Sequence, residues 1–245
     1  MAVKNYKLCI QYDGTNFHGW QVQAKGRTIQ GDIEDVLSSI FPNDKITLLG
    51  AGRTDAGVHA LGLIANVKLL EKLSEKKLKD ALNGNLEKDI YIDSVEIVEN
   101  GFHARFSATA RDYEYRFIKN FSPIMRNYAT FLKWNIDINL LNECAELLIG
   151  VHDFTLFCKA SSEVKNKVCN IIESYWFESN GMLVFKIKAN RFLQHMVRYL
   201  VGTMLEVARG RYTLSEFSAL LDYSIEKVMV VRAPAKGLYL TRVYY

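Results

Sequence analysis

The order of strand and helix patterns along the chain is the feature that most constrains its fold. Alternating or short apolar runs predict strands over residues 6–12, 46–49, 61–70 and 90–98. Helical spacing of apolar residues predicts one helix that begins after Thr28 and a second over 74–82. The first half of the chain therefore has the predicted order β-α-β-β-α-β.

The same order of patterns recurs in the second half. Strands are predicted over 112–119, 169–177, 182–187 and 237–245, and helices over 140–148 and 192–207. Ser179-Asn180-Gly181 is a hairpin turn signal, and Thr213 with Glu216 forms a capping box for a further short helix. We expect an α+β fold of two ferredoxin-like halves, residues 1–104 and 105–245, whose antiparallel sheets join around a central cleft.

Composition is typical of a soluble globular protein. Hydrophobic residues make up 49% of the chain and charged residues 24%, which allows a proper core and excludes a disordered chain. The four cysteines lack a C-x-x-C pair and the five histidines lack an H-x-x-x-H pair, so we expect neither a metal site nor a disulfide framework. The N-terminal segment lacks the apolar core of a signal peptide, and no long apolar run follows. We therefore expect a cytoplasmic protein without a membrane partner.

Basic residues concentrate in one segment, although the formal net charge of the chain is only +4. Between residues 186 and 211 a single acid, Glu206, stands against six basic residues: Lys186, Lys188, Arg191, Arg198, Arg209 and Arg211. Such a segment fits a surface that binds a phosphate backbone, but it fits one solvated face of a helix equally well.

One carboxylate, Asp55, stands in a turn between two predicted strands, within the nine residues GRTDAGVHA (52–60). Gly52 and Gly57 flank it and let the backbone approach a large ligand closely. These are properties of a nucleophilic or basic carboxylate, yet an aspartate in a turn more often accepts hydrogen bonds from its own backbone. Only a longer match can choose between the two interpretations.

Such a match exists, because this loop and four further blocks together resemble the TruA family of tRNA pseudouridine synthases. The further blocks are YDGTNFHGWQ (12–21) with TIQ (28–30), FHARFSATARDYEYRF (102–117), KANRFLQHMVR (188–198) and APAKGLYL (233–240). They follow the family's order and span nearly the whole chain. The resemblance implies a cofactor-free isomerase that converts uridine to pseudouridine at positions 38, 39 and 40 of the tRNA anticodon stem-loop, and it makes the central cleft an RNA-binding cleft.

By this resemblance Asp55 is the nucleophile, which adds either to C6 of the uracil or to C1′ of the ribose. Asp55 must be ionised to act, and Arg198 matches the arginine that is expected to pair with it in the family. From the sequence pattern alone, Arg198 on its apolar segment would more often be an interhelical or snorkelling arginine.

The resemblance implies three further substrate-binding residues. Tyr113 is expected to stack on the target uracil and to take part in removing the C5 proton. Arg53 is expected to occupy the space that the flipped nucleotide leaves in the RNA stem. Leu240 corresponds to an apolar residue against the uracil edge, while Tyr115 is expected to pack in the core.

Three positions depart from the usual pattern of the family. Leu63 and Asn66 stand where many members carry Gln and His, and Glu87 stands where the proline of a Leu-Pro pair is usual. These departures change side chains that would supply hydrogen bonds to the support of the catalytic loop. They leave Asp55 and its expected partners unchanged.

The partners that the resemblance implies are tRNA and a second copy of the chain, in a homodimer across which the tRNA lies. Arg105, Arg111 and Arg116 are expected to contact phosphates together with the basic segment. A catalytically silent RNA-binding protein of the same fold is one alternative, although binding alone would not need the intact catalytic residues. A nuclease that uses Asp55 and His59 as an acid-base pair is another, although it lacks a second carboxylate or a metal set near the loop.

Overall fold

The computed structural model describes residues 3–70, 73–161, 164–221 and 228–245, which contain ten strands and five helices. The α+β class is confirmed. The chain divides into two compact units, one formed by Met1–Thr109 with Leu240–Tyr245 and the other by Ala110–Tyr239. Within the described ranges, no helix is both long and apolar enough to cross a membrane.

The first unit follows the predicted order of elements. It contains β1 (Val3–Tyr12), α1 (Ile29–Ile40), β2 (Leu49–Gly50), β3 (His59–Leu70), α2 (Glu75–Asn85) and β4 (Ile90–Val98). The strands lie in the order β4-β1-β3-β2, and each neighbouring pair is antiparallel. The last strand of the chain, β10 (Leu238–Tyr244), contributes its residues from Leu240 onward to this unit, where they neighbour β3.

Side-chain caps determine where the two helices of the first unit begin. The Thr28 hydroxyl accepts a hydrogen bond of 3.2 Å from the Gly31 N–H, and the Ser74 hydroxyl accepts one of 3.4 Å from Lys77. Each bond satisfies a backbone donor that has no partner inside its helix. The predicted helix start after Thr28 is therefore confirmed.

The strand predicted over 46–49 is reduced to the two residues of β2. The Leu48 N–H donates to Glu34 Oε1 over 2.8 Å, and the Leu48 carbonyl accepts from Gln30 Nε2 over 3.2 Å. Side chains of α1 thus satisfy backbone groups that a neighbouring strand would otherwise pair. An apolar, β-branched run in the sequence cannot reveal which partner its backbone takes.

The second unit adds two short strands that the sequence pattern did not predict, β6 and β7. Its elements are β5 (Ala110–Ile118), β6 (Thr130–Phe131), α3 (Ile138–Glu146), β7 (Gly150–Asp153), β8 (Val168–Ser179), β9 (Met182–Ala189), α4 (Met196–Ala208) and α5 (Leu214–Leu221). The antiparallel order is β5-β9-β8-β7, and β6 runs parallel to β5. Asn180 and Gly181 both have positive φ between β8 and β9, which confirms the predicted hairpin turn.

Helix α4 begins at Met196, so the predicted start at residue 192 was wrong. His195 has a φ of +67°, in the left-handed region, which a right-handed helix cannot contain. The apolar spacing continues through 192–196 although the backbone conformation does not.

The predicted capping box at the start of α5 is confirmed. Glu216 Oε2 accepts a hydrogen bond of 2.7 Å from the Thr213 N–H, and the Thr213 hydroxyl accepts one of 3.1 Å from the Glu216 N–H. The bond from the backbone N–H lowers the pKa of the Glu216 carboxyl, since it favours the charged form.

Helix α4 passes another backbone segment so closely that Gly202 has no room for a side chain. A Cβ at this position would lie 2.1 Å from the Val231 carbonyl oxygen. We expect Gly202→Ala to lower the free energy of unfolding by about 1–3 kcal/mol, because the helix or the facing backbone must move. Urea denaturation of the purified protein measures this change.

Gly84 in α2 is the matched control. A Cβ there meets no atom within 4 Å, so Gly84→Ala should raise stability by up to about 1 kcal/mol through helix propensity. Equal effects of the two substitutions would contradict a close backbone contact at Gly202.

Candidate active site

Asp55 lies in the loop that joins β2 to β3 in the first unit. Its backbone carbonyl accepts a hydrogen bond of 3.2 Å from the Val58 N–H, which closes a β-turn. Gly57, the third residue of that turn, has a φ of +77°, which is typical of a type II turn and favours glycine. The turn leaves Asp55 half-buried while its neighbour Thr54 is buried.

A second segment, residues 12–20, fixes this loop on both sides of Asp55. The Tyr12 hydroxyl lies 2.7 Å from Thr54 Oγ1, and both groups are buried. The Trp20 N–H donates to the Thr54 carbonyl over 3.1 Å, and the Gly57 N–H donates to the Phe17 carbonyl over 3.3 Å. Such bonds pre-organise the backbone that carries the carboxylate.

Two glycines of this second segment allow the close approach. A Cβ at Gly14 would lie 2.0 Å from the Val58 carbonyl oxygen, and one at Gly19 would lie 2.6 Å from the Thr54 carbonyl oxygen. Gly19 also has a φ of +97°, which L side chains rarely adopt. The sequence analysis expected the loop's own glycines, Gly52 and Gly57, to allow a close approach of the backbone to a ligand. It missed Gly14 and Gly19, although both stand in the matched YDGTNFHGWQ block.

His59 belongs to the support of the loop. Its ring is only 2% exposed, and its Nδ1 accepts a hydrogen bond of 3.1 Å from the Gly14 N–H. The same nitrogen lies 3.2 Å from Asp13 Oδ1, so Nδ1 of this buried imidazole faces the Gly14 amide and Asp13. The geometry therefore does not favour an acid-base pair of Asp55 with His59.

Arg53 extends from the same loop into solvent. Its side chain is exposed, and it makes no hydrogen bond or ion pair with any residue that the structure describes. A guanidinium in this state is available to stack on bases and to donate to phosphates.

Asn66, one of the departures from the family pattern, has its hydrogen bonds satisfied. It is 2% exposed; its Nδ2 donates to Asn5 Oδ1 over 2.9 Å, and its Oδ1 accepts from the Ala104 N–H over 2.8 Å. Asn5 in turn donates to the carbonyls of Glu99 and Phe102. The asparagine pair thus links β1, β3 and the segment after β4 behind the loop. The other two departures need no polar partner, since Leu63 is in the core and Glu87 is exposed.

Tyr113 and Tyr115 lie on β5 in the second unit and differ in their surroundings. Tyr113 is 8% exposed and packs edge-on against Phe192, with 5.0 Å between ring centroids. Tyr115 is fully buried, and its hydroxyl donates to the Pro234 carbonyl over 2.7 Å. Tyr115 is thus a core residue. Its burial raises the pKa of its hydroxyl, so the side chain stays protonated at neutral pH and does not act as a proton acceptor.

Arg198 lies in the first turn of α4 and is 9% exposed. Its Nε donates to the Ala233 carbonyl over 2.8 Å, while the Ala233 N–H donates to the Arg198 carbonyl over 2.9 Å. These reciprocal bonds orient the guanidinium plane. The structure thus places Tyr113 and Arg198 in the second unit and Arg53, Asp55 and the buried Leu240 in the first.

The basic segment 186–211 is neither one helix face nor a continuous exposed stripe. Lys186 and Lys188 lie on β9, and each lies 3.6 Å from a Glu173 carboxylate oxygen. Arg209 and Arg211 follow the helical residues of α4 and both pair with Glu206, at 2.8 and 2.9 Å. Local acids therefore neutralise much of the charge that the sequence concentrates there.

The described residues offer neither a metal-ion cluster nor an ionised thiol. Within the described parts of the chain, no three His, Cys, Asp or Glu side chains cluster so as to hold a metal ion. The four cysteines are free thiols. Burial raises the pKa of Cys144 to about 12 and that of Cys169 to about 11, so both stay protonated at neutral pH.

Comparison with known proteins identifies the family. A family model described as tRNA pseudouridine synthase matches residues 8–107 and 144–245. The chain belongs to this family. Proteins named tRNA pseudouridine synthase A match it almost end to end. The one from Chlorobium limicola is 40% identical over 99% of this chain and 100% of its own length. The one from Dictyoglomus turgidum is 42% identical over 98% of this chain and 99% of its own length.

A further protein of that name, from Geobacillus kaustophilus, is 38% identical over 98% of this chain and 93% of its own length. Among solved structures, a chain in a crystal structure of a Cbf5-Nop10-Gar1 complex covers 96% of this chain, which in turn spans 57% of that chain. Its TM-score of 0.36 and identity of 12% are too low to support a conclusion. Membership of the tRNA pseudouridine synthase family therefore rests on the sequence matches.

The hydrogen bond between Tyr12 and Thr54 should stabilise the folded loop. Tyr12→Phe and Thr54→Val each remove one hydroxyl and with it the hydrogen bond between the two buried groups, so each should lower the free energy of unfolding by about 1–2 kcal/mol. The double variant should lose less than the sum of the two, because the single changes break the same bond. Urea denaturation of the three variants measures this coupling.

Thr54→Ser keeps the hydroxyl and serves as the control, with a smaller loss than Thr54→Val. Strict additivity of the Tyr12 and Thr54 losses would contradict a shared hydrogen bond.

Proposed function

We propose that this protein isomerises uridine to pseudouridine in tRNA, at positions 38, 39 and 40 of the anticodon stem-loop. The observation that carries the proposal is the family match over nearly the full chain, together with Asp55 on a loop that a second segment fixes on both sides. The reaction breaks the bond between N1 and C1′ and forms one between C5 and C1′. The C5 proton leaves and N1 gains one, so no group is added or lost.

Asp55 is the nucleophile in this proposal. It adds to C6 of the uracil or attacks C1′ of the ribose, and it is released when the C5 to C1′ bond has formed. Its half-buried position and the fixed backbone of Thr54 and Gly57 support this role, because a nucleophile gains rate from being oriented before the substrate arrives.

Arg53 supports base flipping by filling the space that the target nucleotide leaves. Flipping costs a few kcal/mol, and a guanidinium recovers part of this by stacking on bases and donating to phosphates. The exposed Arg53 side chain, two residues before Asp55, supports the assignment.

Arg198, Tyr113 and Leu240 complete the proposed machinery. Arg198 keeps Asp55 ionised and oriented, a role that fits a nearly buried guanidinium whose plane is fixed by Ala233. Tyr113 stacks on the uracil and takes part in removing the C5 proton, and Leu240 contacts the uracil edge. The edge-on packing of Tyr113 against Phe192 supports a ring whose orientation is set in advance.

We also propose that residues 1–104 and 105–245 are two ferredoxin-like halves, with antiparallel sheets that join around a central RNA-binding cleft. The strand order β4-β1-β3-β2 of the first unit, with its β-α-β-β-α-β sequence of elements, supports this for the first half. In the second unit, the order β5-β9-β8 with α3 and α4 supports it, and β7 is an addition. The protein acts in the cytoplasm as a homodimer across which one tRNA lies.

Release of tritium from tRNA labelled at C5 of uridine tests the function. Wild-type protein should release tritium and leave the RNA chain intact. Asp55→Asn should lower the rate by at least about 10³-fold, because the amide is not a nucleophile, while tRNA binding persists.

Asp80→Asn makes the same chemical change on the exposed face of α2 and should leave the rate within about twofold of wild type. Shortened RNA would indicate a nuclease. Binding without tritium release from any tRNA would indicate a silent RNA-binding protein.

A further inference from the structure

The turn formed by residues 103–107 presents an aromatic ring to solvent. Phe106 is 77% exposed, which places it among the most exposed large apolar side chains of the described residues. Single exposed apolar residues are common on protein surfaces, so exposure alone indicates no function. The hydrogen bonds of the turn and the charge around the ring set Phe106 apart from such residues.

Four hydrogen bonds within the turn fix the backbone that carries Phe106. His103 Nδ1 accepts from the N–H groups of Arg105 and Phe106, at 3.1 and 3.4 Å. The His103 N–H donates to the Ser107 hydroxyl over 3.1 Å, and the Ser107 N–H donates to the His103 carbonyl over 2.9 Å. The His103 ring also lies 4.4 Å from the Phe106 ring. The turn under the ring is therefore pre-organised, and the His103 ring limits its motion on one side, which lowers the entropy cost of binding a ligand there.

The charge around the ring favours a polyanion. The exposed Arg105 guanidinium lies 5.7 Å from the Phe106 centroid. The surrounding segment 102–111 contains two arginines and no acid. An exposed aromatic ring beside a cation is the combination with which proteins bind single-stranded nucleic acid, because the ring stacks on a base and the cation attracts the backbone.

The same turn is close to the loop that carries Asp55, within the first unit. Ala104 packs in one buried cluster with Ile64 and Ala51, the residue just before GRTDAGVHA. At most about 14 Å of chain separates Ala51 from Asp55, and at most about 7 Å separates Ala104 from Phe106. Phe106 and Asp55 therefore lie on neighbouring segments of one unit, within reach of a single RNA stem-loop.

We propose that Phe106 is a stacking platform for an unpaired nucleobase of the RNA substrate, with Arg105 beside it on the backbone phosphate. The proposal rests on the proposed function, because it takes the ligand to be tRNA. Phe106 contributes affinity for the RNA, and no chemistry. Its loss should therefore act on Kd and KM and leave kcat nearly unchanged.

Binding of an unmodified tRNA transcript to the full-length protein tests the proposal. Phe106→Ala and Phe106→Leu should weaken binding by about 5- to 150-fold, the range that corresponds to one lost base-aromatic stack. Phe106→Tyr keeps a ring and should bind within about threefold of wild type. At saturating tRNA, tritium release by all three variants should stay within about threefold of wild type.

Phe121→Ala is the matched control, since Phe121 is 63% exposed and lies in the second unit. It should leave tRNA binding within about twofold of wild type. Sedimentation velocity of each variant shows whether the oligomeric state has changed.

Three results would overturn the proposal. Phe106→Ala with wild-type affinity would show that the ring does not contact RNA. Full affinity in Phe106→Leu would show an apolar contact instead of a stack. Weaker binding that accompanies a change in oligomeric state would place Phe106 between copies of the chain.

The outcomes separate this proposal from the proposed function. Wild-type protein that releases tritium, with an unaffected Phe106→Ala variant, refutes only the stacking platform. Ring-dependent tRNA binding without tritium release refutes only the enzymatic function. Wild-type protein that binds no tRNA refutes both.

Discussion

The close contact between segment 12–20 and the Asp55 loop is the constraint on which the candidate site depends. The backbone of segment 12–20 lies directly against the backbone of the loop, since a Cβ at Gly14 or Gly19 would overlap carbonyl groups of the loop. The Tyr12 hydroxyl bond to Thr54 adds a buried polar contact that cannot be exchanged for water without cost. The role proposed for Asp55 needs positioning to within about 0.5 Å, and rigid elements provide this better than a free loop. The chain achieves it by packing one loop against another that is already anchored on β1 and α1.

The sequence predicted elements well where burial or capping alone determines them. Strand β4 alternates buried and exposed positions and was predicted with its observed bounds, and Thr28 begins α1 as expected. Prediction failed where the backbone takes an unusual partner or conformation. The run 46–49 is apolar, yet Glu34 and Gln30 on α1 bind its backbone, and His195 leaves the helical region although its neighbours keep helical spacing. Neither the side-chain partners of 46–49 nor the conformation of His195 follows a periodic pattern, so hydrophobic periodicity in the sequence cannot predict them.

The matched blocks in the sequence led to the proposed site residues, but the contacts that support those residues could not be predicted. Tyr12 and Thr54 stand 42 residues apart, and their hydrogen bond follows from tertiary packing that local patterns do not encode. At Asn66 the sequence indicated a change that the structure compensates. Asn66 departs from the family pattern, and this departure suggested altered hydrogen bonding. Asn5 on the neighbouring strand supplies a partner, so the exchange leaves no buried polar group of Asn66 unsatisfied. Such compensation is visible only when both strands are seen together.

The segment 186–211 presents less unpaired positive charge than its sequence indicates. The formal net charge is +4, and Glu173 and Glu206 lie against four of the six basic residues in the segment 186–211. Each paired cation adds less to the release of counterions that drives non-specific binding to a phosphate backbone. In the proposed complex with RNA, stacking then carries a larger share of recognition, because an aromatic ring can stack on any unpaired base. Arg53 and the Phe106–Arg105 pair are exposed groups of the first unit with this chemistry, and both lie on segments that contribute to the Ala51 cluster or directly follow it.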